Sequence, residues 1–183
     1  MLHVSFTGHR PKELYVGTYT KADLIKATYN AIKKLIEEEG ATDFYSGGAI
    51  GFDQIAFMCV HWLKKTYTHI KNHLVVPFLK QDKMWKPEQK AFYAQMKEWA
   101  DDVIYVDTLA DYQPTFSHKV GEYSGIKMQL RNEYMVDHSH VLLAAYNGSE
   151  KSGTTNCLDY AKGKKKDVRW IDLHDDLKVK KMA

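Results

Sequence analysis

The stretch Ser46-Gly47-Gly48-Ala49-Ile50-Gly51-Phe52-Asp53 decides how this chain is read. Three glycines and a carboxylate stand between the apolar pair Phe44-Tyr45 and a segment in which Ile55, Cys59, Trp62 and Leu63 recur at helical spacing. The pattern predicts a buried strand that hands directly to a helix. At such a junction glycines let the backbone turn tightly and approach a ligand closely, and the first N–H groups of the helix face any anion that arrives. The stretch therefore reads as a phosphate cradle. Asp53 either caps the helix by accepting one of those N–H groups or reaches a ligand directly.

Outward from this junction, strands alternate with helices. Strands are expected over 3–7, 43–46, 73–78, 103–106, 141–146 and 168–171. Helices are expected over 21–39, 53–65, 87–100, 124–138 and 154–162. Gly40 follows the first helix as a left-handed stop, and Pro87 opens the third in its first turn. Leu74-Val75-Val76 has the continuous hydrophobicity of a strand buried on both faces. Residues 107–121 show no period and contain Pro114, which predicts a long loop of the kind that forms lids or binding loops. The fold class is thus α/β: a Rossmann-like, doubly wound, mostly parallel sheet of about six strands with helices on both faces. Residues 1–175 form one domain in this reading, and 176–183 a basic tail.

Composition limits the setting. With 183 residues, 44% hydrophobic and 27% charged, the chain suits a single globular domain with its own core. No leader and no apolar run of about 20 residues is present, so a soluble cytoplasmic protein is expected. Cys59 and Cys157 sit in separate helical patterns, as reduced buried thiols would. The net charge of +3 does not call for nucleic acid, and the lysines at 162–166 and 178–181 read as a helix end and a solvated tail. His138 and His140 lack a third ligand, so no metal is expected, and no cofactor.

Open parallel sheets bind ligands beyond the carboxyl ends of their strands, where the strand order reverses. Four segments fall there: Gly8-His9-Arg10, Ser46 to Asp53, Pro77-Phe78, and Tyr146-Asn147-Gly148 with Ser152-Gly153-Thr154-Thr155. Two of these are glycine-hydroxyl turns at helix starts, each able to offer N–H groups to phosphate. Arg131 with Asn132 adds a fork suited to a planar anion, unless Arg131 instead pairs with Asp137 to hold its helix. Trp85, Tyr112, Phe116 and Tyr123 either stack on a base or cover the sheet edge.

The blocks Thr7-Gly8-His9-Arg10-Pro11, Ser46 to Asp53, Arg131 to Asp137 and Ser152-Gly153-Thr154-Thr155, in this order, resemble the YpsA-like proteins of the SLOG superfamily over about residues 1–173. That superfamily also includes the Lonely Guy phosphoribohydrolases and the DNA-processing protein DprA. The resemblance implies a pocket for a nucleotide or a nucleotide derivative such as an ADP-ribose-like molecule, used in sensing or regulation, and it implies a homodimer. The expected ligand contacts are Gly8, His9, Arg10, Ser46, Gly47, Gly48, Gly51, Asp53, Arg131, Asn132, Tyr146, Asn147, Gly153, Thr154 and Thr155.

Turnover is the alternative. Lonely Guy enzymes carry a Pro-Gly-Gly-x-Gly-Thr-x-x-Glu block whose glutamate works at the ribose. Here the block aligns on Gly153-Thr154, Lys151-Ser152 replace the two-glycine prefix, and Cys157 stands in place of the glutamate. A thiol does not supply a carboxylate's charge to an oxocarbenium-like centre. The expectation therefore leans away from an enzyme. The acid-base candidates that remain for an N-glycosidic hydrolase are Asp53, Asp137 and His9. DprA-like DNA binding is the third reading.

Overall fold

Alternate burial along the strands sets the layers. In β1 (Leu2–Gly8), Val4 and Phe6 enter the main apolar cluster beneath α2 (Lys21–Glu39) and α3 (Phe52–Leu63). Ser5, between them, points to the opposite face, where its hydroxyl meets that of Ser139 at 2.7 Å. In β5 (Val141–Tyr146), Leu142 and Ala144 pack with Val136, Cys157 and Leu158 from α5 (Gly125–Asp137) and α6 (Gly153–Gly163), while Leu143 and Ala145 join the α2–α3 side. Both sheet faces are therefore covered by helices.

The computed structural model describes residues 1–183 and adds β2 (Ala41–Ser46), β3 (Lys71–Val76), β4 (Asp102–Tyr105), β6 (Asp167–Asp172) and β7 (Val179–Lys181), with α1 (Pro11–Leu14) after β1 and α4 (Pro87–Trp99) before β4. One sheet runs in the order β4-β3-β2-β1-β5-β6-β7, and every pair is parallel except β6 with β7. From β1 the chain steps outward through β2, β3 and β4, then returns to lay β5 on the other side of β1. Right-handed crossovers in opposite directions put their helices on opposite faces, so the order reverses between β1 and β5. The carboxyl ends of those two strands diverge into a crevice.

Predicted helix boundaries hold closely. Thr20 and Asp23 form a reciprocal capping box at the start of α2, and Gly40 ends it at φ 71°. Three elements differ from the expectation, the first being the four-residue α1, which the pattern does not predict. The basic tail is partly strand: β7 pairs Ile171 with Val179 and Arg169 with Lys181, giving seven strands in place of six. Its lysines are tied to acids of the β6 region, Lys180 to Asp172 at 2.7 Å and to Asp175 at 2.8 Å, and a lysine-rich edge strand also resists further pairing. The segment 107–121 contains two 3-10 turns, Val106–Thr108 and Ala110–Tyr112, and it is pinned to α5. Lys127 Nζ, on a side chain only 2% exposed, donates to Asp107 at 3.1 Å and to the carbonyls of Lys119 and Glu122 at 2.8 and 3.0 Å. Asp107 also accepts the Gly121 N–H.

Candidate functional site

The crevice between β1 and β5 opens into a cleft of about 420 Å³. After β1, Thr7, Gly8, His9 and Arg10 form one wall, with Glu13 from the short α1 above them. Ala49 and Asp53 reach it from the turn after β2, Met128, Arg131 and Asn132 from α5, and Asn147, Ser149 and residues 151–154 from the turn into α6. Residues far apart in sequence meet here because parallel strands present all their carboxyl ends on one side.

Arg131 is the most constrained of these groups. Its side chain, from the middle of α5, is 4% exposed. Nη1 donates to the Gly47 carbonyl at 2.7 Å and Nε donates to Asn132 Oδ1 at 2.9 Å, which leaves Nη2 without a protein partner. Gly47 is glycine for this reason: a Cβ there would lie 2.0 Å from Nη1 and 2.8 Å from Asp53 Oδ2. Gly51 has φ 116°, and a Cβ on it would meet the His9 carbonyl at 2.5 Å. The Gly47-Gly48-Gly51 turn thus fits the protein's own Arg131, Tyr93 and β1 end, and none of its three glycines lines the cleft.

Gly51 is the N-cap residue of α3, so Asp53 stands in the first helical turn and not at the cap position. It is buried, and desolvation raises its carboxyl pKa while Arg131 and Arg10 oppose the rise. Arginine stays charged in such a setting, so Arg131 is a fixed positive centre beside a buried carboxyl whose pKa is raised. At the α6 end, Ser152 caps the helix through Thr155 N–H at 3.0 Å, and the Thr155 hydroxyl donates to the Ser149 carbonyl. The N–H groups of Gly153 and Thr154 have no backbone partner and belong to the cleft-lining turn. With Arg10, Arg131 and Lys151 nearby, this is an anion-favouring end of a helix.

Burial lowers the His9 pKa, with Glu13 acting against the shift. Nε2 accepts the Asn147 N–H at 3.2 Å, which requires a neutral ring. The bond ties the β1 loop to the β5 loop across the cleft. A histidine whose folded pKa lies below its unfolded value destabilises the fold as pH falls from about 6.5 through the folded value. The urea midpoint is therefore expected to drop between pH 7.5 and pH 5. The drop should shrink in His9→Gln, whose amide oxygen can still accept; an equal drop in both proteins would assign it elsewhere.

Several expected contacts lie outside the cleft. Asp137 sits at the far end of α5, where Tyr112 and Tyr160 donate to it and Lys164 lies 3.7 Å away; it does not pair with Arg131. Ser46 Oγ is buried without a partner, and Gly47 and Gly48 form the support beneath. Tyr146 stacks beside His9 and donates to the Ser149 carbonyl at 2.5 Å. Thr155 serves the turn. Cys157 is buried, its thiol pushed up to about 12 by desolvation, and it does not line the cleft; Cys59 is likewise a free buried thiol. Glu13, Met128, Ser149 and Lys151 were not anticipated. Met128 lies one turn before Arg131 on the same helical face, a spacing legible in advance, whereas Glu13 depends on the four-residue α1.

A mostly parallel sheet whose strand order reverses beside a cleft lined by Arg10, Arg131 and a helix start defines a Rossmann-like α/β domain. The chain belongs to the YpsA family, described as the YspA SLOG family, whose model matches residues 4–175. It is 51% identical to the SPbeta prophage-derived protein YoqJ of Bacillus subtilis over 131 residues, which are 72% of this chain and 75% of that protein. It is 28% identical to the UPF0398 protein BH1768 of Halalkalibacterium halodurans (94% and 88% covered) and 27% identical to UPF0398 protein YpsA of B. subtilis (96% and 94%). Among solved structures it is similar to DprA of Streptococcus pneumoniae, with TM-score 0.62, 19% identity and 96% of this chain covered, and to DprA of Helicobacter pylori, with 0.55, 18% and 91%. The chain spans 53% and 63% of those two structures, and at such identities they share the fold. No helix is long and apolar enough to cross a membrane.

Proposed function

We propose that the cleft holds a nucleotide or a nucleotide-derived molecule such as an ADP-ribose-like ligand by its phosphate, in a sensing or regulatory role. One observation carries this reading: the buried Arg131 guanidinium keeps a nitrogen unpaired in the same cleft as the unpartnered N–H groups that open α6. Fixed donors of this kind bind phosphate with little reorganisation. Ligand retention is favoured over cleavage because Cys157, at the glutamate's position in the Lonely Guy block, is a neutral buried thiol. Reduced thiols fit a cytoplasmic setting, and a homodimer belongs to the same reading through the family resemblance.

ADP-ribose, NAD and AMP are expected to include at least one ligand that raises the melting temperature. Gly47→Ala should lose that shift, because the new methyl displaces Arg131, while circular dichroism shows the fold retained. No shift with any of the three would sink the reading. Release of free base from AMP, followed by chromatography and abolished by Asp53→Asn, would move it to N-glycosidic hydrolysis, for which Asp53 and His9 are the acid-base candidates that line the cleft.

A second reading is single-stranded DNA, the ligand named for the H. pylori DprA structure. It is favoured by Lys80, Lys83 and the exposed Tyr123, which border a recess next to the cleft. It predicts oligonucleotide affinity that falls steeply with salt. Absence of binding at low salt removes it.

A further inference from the structure

We propose that the recess beside the cleft, bounded by Phe78, Trp85 and Tyr123, is the subsite for the base of the bound nucleotide, and that it favours a base carrying an exocyclic amino group. The proposal rests on the reading of the cleft as a phosphate site. The recess has a volume of about 260 Å³ and shares Arg10 and Met128 with the cleft, so one ligand can occupy both.

The two compartments differ in chemistry. Arginines, amides, hydroxyls and a helix start line the cleft almost throughout, whereas half of the recess lining is apolar, with Phe78, Trp85, Tyr123, Met84 and Met128 set among Arg10, Lys80, Gln81, Lys83 and Glu122. That division matches a molecule with a charged end and a flat π-bonded end. Tyr123 is 76% exposed and held edge-on to Phe78, with ring centroids 5.6 Å apart. A large ring so exposed at the mouth of a recess is placed to cover a base. Its position is not left to a free loop, because Lys127 binds the carbonyl of the preceding residue, Glu122.

Gln81 supplies the selectivity. It lines the recess and is 9% exposed. Its Nε2 donates to the Tyr93 hydroxyl at 2.8 Å and to the Gly47 carbonyl at 3.3 Å. Gly47's carbonyl can only accept, so the amide is oriented with nitrogen toward it. Oε1 is then a buried acceptor with no partner. Such an acceptor is satisfied by an N–H donor and penalises a second acceptor, so adenine or cytosine suits it and the keto groups of hypoxanthine or uracil do not. The same Gly47 carbonyl also accepts from Arg131 Nη1, which couples the glutamine to the phosphate-site arginine.

The test is calorimetric titration of the full chain with ribose 5-phosphate, AMP, IMP, CMP and UMP. At least one of AMP and CMP should bind about ten-fold or more tightly than ribose 5-phosphate, and about ten-fold more tightly than its keto counterpart, IMP or UMP. Tyr123→Ala should erase the gain over ribose 5-phosphate while leaving ribose 5-phosphate binding unchanged. Gln81→Met should erase the amino preference. Ribose 5-phosphate binding as tightly as all four nucleotides would overturn the base subsite and leave the phosphate site standing. Equal affinity for AMP and IMP and for CMP and UMP would overturn the amino selection. If none of the five binds, this proposal fails, and the phosphate reading then stands or falls on the melting shifts with ADP-ribose and NAD.

Discussion

Arg131→Ala is expected to abolish binding of phosphate-bearing ligands and to cost about 3 kcal/mol of stability near pH 8, the lower end for leaving a buried charge uncompensated. Arg131 makes hydrogen bonds to Gly47 and Asn132 and supplies the leading positive field on the buried Asp53 carboxyl. Without it, Asp53 has Arg10 as its remaining nearby cation and its pKa rises further. The sign of the pH dependence follows. A carboxyl whose folded pKa exceeds its unfolded value takes up a proton on folding, so the loss of stability shrinks as pH falls through the folded value. Urea unfolding at pH 8 and pH 5 measures this, and a loss independent of pH would show that Asp53 is not involved. Arg131→Lys should retain much of the stability because it keeps the charge. It should still bind ligand poorly because it lacks the planar fork. Adding Asp53→Asn to Arg131→Ala should recover stability without restoring binding.

Lys127→Met should cost about 3–5 kcal/mol, since it leaves the Asp107 carboxylate buried without its counter-ion and with the Gly121 N–H as its hydrogen-bond donor. Lys127 and Asp107 are 2% and 1% exposed, so water cannot compensate for the missing ammonium. The variant also frees the carbonyls of Lys119 and Glu122. Hydrogen exchange should therefore accelerate locally over residues 107–124, beyond the change expected from the global loss alone. Asp107→Asn in the same chain should return part of the stability, because a neutral amide is cheaper to bury than a lone carboxylate. If Lys127→Met unfolds at the wild-type denaturant midpoint, the buried pair contributes nothing net. The consequence reaches the recess: Tyr123 follows directly on Glu122, so loosening this anchor should weaken nucleotide binding more than ribose 5-phosphate binding.

The strand and helix pattern was legible because it is local. Apolar residues at strand and helix spacing, Gly40 after α2 and Pro87 at the start of α4 each act within a few residues of themselves. The short α1 and β7 were not legible. Four residues cannot display a helical period, and Val179-Lys180-Lys181 becomes a strand through Asp167, Asp172 and Asp175, which hold its lysines. Asp137 shows a different limit. It belongs to the same sequence block as Arg131, yet six residues of helix carry it about 9 Å along the axis and roughly 240° around it. Helical geometry applied to the block already separates the two.

What the sequence determined by itself is the α/β order, the family, and the gathering of glycine, hydroxyl and arginine segments at the carboxyl ends of the strands, since each follows from local pattern and from the topology such patterns permit. What only the tertiary structure decided is the work each glycine does. Gly47 reads as a ligand contact when seen with its neighbours in the chain. In the fold it makes room for a guanidinium 84 positions away and offers its carbonyl to both Arg131 and Gln81. Glycine is required wherever something comes close to the backbone, and whether that is a phosphate or the protein's own side chain depends on packing between distant segments, which no local pattern records.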